Sequence, residues 1–205
     1  MELRRSGISD TRVCAAIERI PRERFVPEAL RHQAYENIPL AIGCEQTMSA
    51  PIVVGRMTQA LEVTERMMVL EVGTGSGYQA AVLSLLCRRV FTIERHRDLL
   101  AEAEAALSSL RIQNVTTRSG DGTLGWPEQA PFERIIVTAA AADIPPILAD
   151  QLAVDGVMVV PVDHGRGESR LLRVRRTADG LETEDLGEIR FVPLIAGRGG
   201  NRGSA

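Results

Sequence analysis

Between residues 68 and 162 the apolar positions fall into two alternating rhythms. Runs that are apolar almost throughout, Val69-Leu70-Glu71-Val72, Val90-Phe91-Thr92-Ile93, Phe132 to Val137 and Gly156 to Val162, are separated by stretches with apolar residues three and four apart. Continuous short runs predict strands of a parallel sheet covered on both faces, and the intervening spacing predicts helices over 78–87, 97–110 and 145–152. Val115 to Arg118 reads as a further, shorter strand. Such alternation predicts a doubly wound α/β fold. After residue 162 the rhythm changes to paired strands: Leu171 to Arg176 and Leu181 to Ile189, joined at Ala178-Asp179-Gly180, predict an antiparallel hairpin. Its Arg173 and Arg175 alternate with Leu172 and Val174, which reads as an outward, solvated face rather than a nucleic-acid patch.

Upstream of the sheet, Val13, Ile17 and Ile20 sit at helical spacing behind Asp10, a helix that Pro21 stops, and a second helical piece follows over Glu28 to Tyr35. Residues 1–36 therefore read as an N-terminal helical extension. Ile38 to Ile42 is a short extended piece and Gly43 to Pro51 a polar loop. Pro51 opens a helix to about Glu62, with Thr47 and Ser49 near its positive end, where hydroxyls are either caps or ligand contacts and spacing alone favours the cap. Residues 37–196 form one catalytic domain. The Gly/Arg/Ser tail 197–205 is expected to be disordered.

The strand at Val69 ends in Gly73, Gly75 and Gly77, followed by the helix predicted from Tyr78 with Ala81, Leu85 and Leu86 inward. Glycines at alternate positions mark a backbone that turns sharply and lets a ligand approach closely, beside the free N–H groups of a helix start. About 21 residues after Gly73, Glu94 closes the next strand, the spacing of an acid that takes ribose hydroxyls. Asp121 and Gly122 follow the third strand, at the carboxyl edge where open α/β sheets bind ligands. A dinucleotide site wants G-x-G-x-x-G; the spacing here differs, and Glu71 would repel a pyrophosphate. An acid there suits a cationic amino-acid group, directly or through water. That points to S-adenosylmethionine, with its ammonium and sulfonium, and hence to a class I (Rossmann-like) methyltransferase.

Charge and cysteines narrow the partners. Twenty-four basic against 27 acidic residues leave a net charge of -3, so nothing in the bulk charge favours nucleic acid or an anionic membrane. Cys14, Cys44 and Cys87 show neither a disulfide framework nor metal-ligand spacing, so no metal is expected. With no signal-peptide pattern and no apolar run of about 18 residues, the reading is a cytoplasmic protein, acting as a monomer.

Several segments together resemble the protein-L-isoaspartate (D-aspartate) O-methyltransferase family. They are Pro21 to Pro27, Ala34 to Asn37, Gln46-Thr47-Met48-Ser49-Ala50-Pro51, Leu70 to Gln79, Gly120-Asp121-Gly122, Ile136 to Ala140 and Arg190 to Leu194. The resemblance implies methyl transfer from S-adenosylmethionine to the free α-carboxylate of isoaspartyl residues in damaged peptides and proteins, leaving S-adenosylhomocysteine. It implies Ser49 as the active-site serine and cofactor contacts at Gln46, Thr47, Ser49, Gly73, Glu94, Asp121 and Gly122; Glu71, Gly75 and Gly77 join them from the reading of the turn. Met48 stands where the family usually has Ile. Val54 and Ile195 stand where some relatives have His and Thr, so neither contact carries over. The substrate carboxylate is already ionised at neutral pH, so Ser49 is expected to position it by a hydrogen bond, and no base is needed. His32, His96 and His164 are accordingly expected at the surface, away from the Ser49 loop. Peptide binding is expected along Phe191 to Leu194, in preference to Ile38 to Leu40. A methyltransferase acting on bases would show an Asn/Asp-Pro-Pro-aromatic motif where this chain has Thr138 to Ala142. A non-catalytic module would not need the Ser49 loop beside an intact cofactor half-site.

Overall fold

The computed structural model describes residues 3–165 and 168–199. A seven-stranded sheet runs in the order β5-β4-β3-β6-β7-β8-β9. Its strands are β3 (Met68–Val72), β4 (Arg89–Glu94), β5 (Val115–Ser119), β6 (Phe132–Val137), β7 (Leu152–Asp163), β8 (Ser169–Arg176) and β9 (Leu181–Ile189). β3 to β7 are parallel, and β8 and β9 add an antiparallel hairpin. The chain winds outward from β3 to β5 and then returns to β6 on the other side of β3. The crevice left at the carboxyl ends is where such sheets bind ligands.

Alternate residues of the central strands feed two apolar layers. Val69, Val90, Ile136 and Val159 face α1 (Thr11–Arg19), α2 (Pro51–Ala60), α3 (Tyr78–Ser84) and α4 (Arg97–Ser109). Leu70, Phe91, Ile135 and Val160 face α5 (Pro146–Asp150) and the loops around Trp126. The N-terminal extension shares the first layer through Ile8, Val13, Ile17 and Phe25, all buried. Asp10 caps α1 by accepting from the backbone N–H groups of Arg12 and Val13.

Several local expectations are corrected. Gln46–Met48 is not loop but β2, the second strand of a small hairpin with β1 (Leu40–Gly43). Its turn puts Cys44 and Glu45 at φ 48° and 59°, a left-handed pair usually filled by Asn or Gly. α3 stops at Ser84, leaving Leu85 38% exposed instead of inward. β7 starts at Leu152, ahead of Gly156: Asp155, at φ 64°, kinks the strand without ending it. Arg173 and Arg175 lie outward but are not free, since both donate to the Glu62 carboxylate beyond α2, at 2.8 and 3.0 Å. The start of the tail is ordered by two hydrogen bonds, from Gly197 N–H to Asp121 and from Gly199 N–H to the Arg95 carbonyl. Residues 1 and 2 of the extension and 200–205 of the tail lie outside the described residues.

Candidate active site

The glycine turn is built from three backbone positions that only glycine fills without strain. Gly73, Gly75 and Gly77 have φ of 98°, 54° and 87°. A Cβ on Gly73 would stand 2.4 Å from the Thr138 hydroxyl oxygen. That hydroxyl lies 2.6 Å from the Gly73 carbonyl and 3.0 Å from the Val72 carbonyl, tying the end of β6 to the end of β3. A Cβ on Gly77 would meet the Ala103 Cβ at 3.1 Å, so this glycine lets the start of α3 pack on α4. The turn is held to β4 by Gly73 and Thr74 N–H groups on the Ile93 carbonyl.

Two acids bracket the turn. Glu94, 5% exposed, accepts from Gly75 N–H at 2.8 Å through one oxygen and from His96 N–H at 2.9 Å through the other. Glu71 is fully buried beneath the turn, where Thr92 donates to one carboxyl oxygen at 2.5 Å and the other oxygen has no partner. Burial pushes its carboxyl up to about 8; the Thr92 hydrogen bond works the other way, and the Glu94 charge adds to the rise.

A cavity opens over the turn. One wall is Gln46, Thr47, Met48 and Ser49; another is Gly73 to Ser76 with Tyr78. Glu94, Arg95, His96 and Gly122 close one end, and Val54, Met57 and Val192 to Ile195 make the apolar side. Val192 to Leu194 is held extended there, as Ala140 N–H donates to the Val192 carbonyl and Leu194 N–H to the Ala140 carbonyl. Ser49 is not a cap. The α2 N-cap is Ala50, without a side-chain bond, and Asn37 instead reaches in to accept from Ile52 N–H at 3.2 Å. No hydrogen bond among the described residues uses the Ser49 hydroxyl, which leaves it available at the cavity wall.

The structure therefore brings Gln46, Thr47, Ser49, Gly73, Gly75, Glu94 and Gly122 to one cavity. It does not bring Glu71 or Gly77 to the wall: the first lies under the turn and the second faces α4. Asp121 lines a neighbouring hollow with Gly197 and Arg198. Its carboxylate is occupied by Thr123 N–H at 2.9 Å, the Thr123 hydroxyl at 2.6 Å and Gly197 N–H at 2.6 Å. Burial opposes its charge, but these donors outweigh that and hold the carboxyl below its ordinary range. His96, expected at the surface, lines the cavity instead, because the chain leaving β4 turns back over Glu94. Tyr78, Met57 and Thr138 also escaped the sequence reading. Each reads as ordinary helix or strand packing until the sheet places it at the crevice.

The residues present fit a cationic nucleoside such as S-adenosylmethionine. Glu94, which takes the Gly75 N–H, disfavours a pyrophosphate on the same glycines, and Glu71 leaves an orphaned oxygen under the turn.

The model of the protein-L-isoaspartate(D-aspartate) O-methyltransferase family matches residues 1–199. The chain belongs to this family. Among curated members, the protein-L-isoaspartate O-methyltransferase of Paramagnetospirillum magneticum is 61% identical over 198 residues, covering 96% of this chain and 92% of that protein. The Rhodospirillum rubrum protein of the same name is 62% identical over 199 residues, covering 96% and 91%. A solved protein-L-isoaspartate O-methyltransferase superposes with a TM-score of 0.84 at 29% identity, over 93% of this chain and 63% of that one. At 24% identity, a structure described as a putative family member from Plasmodium falciparum, in complex with S-adenosyl-L-homocysteine, shares the fold. It has a TM-score of 0.80 and covers 95% of each chain. The fold of this family member is thus the class I methyltransferase sheet predicted from its apolar runs. The Ser49 loop of the family's sequence pattern lies on the cavity that its glycine turn opens.

Proposed function

We propose that this cavity transfers a methyl group from S-adenosylmethionine to the free α-carboxylate of L-isoaspartyl or D-aspartyl residues in damaged peptides and proteins, the first step of their repair. The observation that carries the reading is Ser49: a hydroxyl without a partner, on the same cavity as an acid-flanked glycine turn. The cofactor, when bound, supplies a methyl group activated on a sulfonium sulfur. Gln46, Thr47, Gly73 and Gly75 would hold its amino-acid end, Glu94 the ribose hydroxyls, and Gly122 the base, with Asp121 fixing the Gly122 turn from behind through Thr123. Glu71, buried beneath, and Gly77, packed on Ala103, would act by shaping the turn.

The remaining work falls to positioning. The substrate carboxylate, with a reference pKa of about 3.5, needs no proton removed at neutral pH. Ser49 donates a hydrogen bond that fixes one carboxylate oxygen, and Val54, Met57 and Val192 to Ile195 exclude water from the nucleophile. The extended backbone of 192–194 on the cavity rim suits main-chain contact with peptides of unrelated sequence. Three free cysteines support a reducing, cytoplasmic setting.

Paired peptides that differ only in an Asp or isoAsp linkage test the reading. Methyl incorporation is expected into the isoaspartyl peptide alone. Ser49→Ala should lower that turnover by about tenfold or more, the usual range for a lost positioning contact, with S-adenosylhomocysteine affinity kept within a few-fold. Unchanged turnover would remove Ser49 from the mechanism.

A further inference from the structure

Arg22 is 1% exposed, in the short turn Arg22–Phe25 of the N-terminal extension. Its Nε donates to the Ala34 carbonyl at 2.7 Å and its Nη2 to the Ser49 carbonyl at 2.7 Å. The guanidinium carbon lies 4.9 Å from the centre of the Tyr78 ring. Nη1 is buried without a hydrogen-bond partner, and no ion pair among the described residues involves this side chain. Burial pushes the guanidinium toward its neutral form, and only the Tyr78 and Tyr35 hydroxyls oppose this. Arginine nevertheless stays charged in proteins.

A desolvated cation with no carboxylate partner is costly, and an apolar side chain of similar size would fill the same space more cheaply. Two of the groups it touches, the Ser49 backbone and the Tyr78 ring, belong to residues that line the cavity. The acid on the cavity wall, Glu94, does not favour an anionic substrate. The guanidinium on the cavity wall itself, that of Arg95, follows Glu94 at the end of β4 and not the Ser49 segment.

We propose that Arg22 is a positioning residue that supplies the buried counter-charge for the substrate carboxylate, acting through Ser49. The proposal rests on the reading of Ser49 above. Nη2 pins the Ser49 carbonyl and so sets where its hydroxyl points, while the uncompensated charge favours the anionic acid over a neutral group in the same place. The acid is therefore drawn in and the neutral ester let go, so the site discriminates substrate from product by charge.

The test compares binding of an isoaspartyl peptide and its neutral α-carboxamide counterpart to the full chain loaded with S-adenosylhomocysteine. The wild-type protein should prefer the acid. Arg22→Met and Arg22→Gln should lose about tenfold of that preference, the scale of a charge acting across several ångströms of partly screened interior, while Arg22→Lys keeps most of it. A purely structural role would weaken acid and amide alike, and that result, or an intact preference in the neutral variants, overturns the proposal. Should neither neutral variant bind S-adenosylhomocysteine, Arg22→Lys decides: a retained preference supports the proposal and a lost one overturns it. Ser49→Ala runs alongside. If it turns over the peptide normally, the Ser49 reading and this proposal fall together; if it is impaired while the neutral Arg22 variants keep their preference, only the proposal falls.

Discussion

Three glycines in one turn have three different jobs, and the difference is set by what a single added methyl group would meet. At Gly75 a Cβ would make only an ordinary contact, 3.4 Å from the Ile42 side chain, so the demand there is on backbone angle alone. At Gly77 the demand is packing on Ala103, and at Gly73 it is both a φ of 98° and the Thr138 oxygen at 2.4 Å. Gly73→Ala must either rotate Thr138 away from the two carbonyls it holds or push the turn off β6. We expect about 1–3 kcal/mol of lost stability from the strained backbone, together with at least a tenfold weaker S-adenosylhomocysteine complex. Thermal unfolding and titration calorimetry on the same sample check both, and undiminished affinity would mean that the turn is not held by Thr138. The glycine spacing was legible in the sequence, but this division of labour was not, because Thr138 and Ala103 reach the turn only through the fold.

At the scale of elements, the segment from β2 to α2 owes its use to a cap supplied from elsewhere. Ser49 stands just before Ala50, the N-cap of α2, and by local spacing should satisfy the first turn of that helix. Asn37 does so instead, from beyond the β1–β2 hairpin, and leaves the serine hydroxyl for the cavity. Asn37→Ala should cost about 1 kcal/mol of stability, the ordinary loss for a helix cap. It should also raise KM for an isoaspartyl peptide several-fold, because Ser49 then competes as a cap. Urea denaturation gives the first quantity and steady-state kinetics the second; a stability loss with KM unmoved would separate the cap from the serine. The strands of the main sheet were legible because each is an uninterrupted apolar run. β2 was not, since three residues carry too little pattern and its turn uses Cys44 and Glu45 at angles that normally advertise themselves with glycine or asparagine.

On the scale of the whole molecule, the cavity gathers residues from 46 to 195, with Arg22 and Glu71 behind its walls. A sequence motif can name Glu71 but cannot show that it is sealed from water, and that burial ties its proton to global stability. Its carboxyl titrates at about 8 in the folded protein, against an ordinary value of 4.5. Between those values the folded chain holds a proton that the unfolded chain has released, so stability must fall as pH rises. The contribution is complete below pH 4.5 and gone above about 8; at about 1.4 kcal/mol for each pH unit between them, it amounts to a few kcal/mol. Glu71→Gln stays neutral at every pH and removes this dependence, although its amide also places a donor where the free carboxyl oxygen had no partner. That second cost does not vary with pH, so the slope isolates the first. Urea denaturation at pH 5.5, 7 and 8 should show wild-type stability declining more steeply than that of the variant, so the balance shifts in the variant's favour as pH rises. Parallel slopes would place the proton elsewhere.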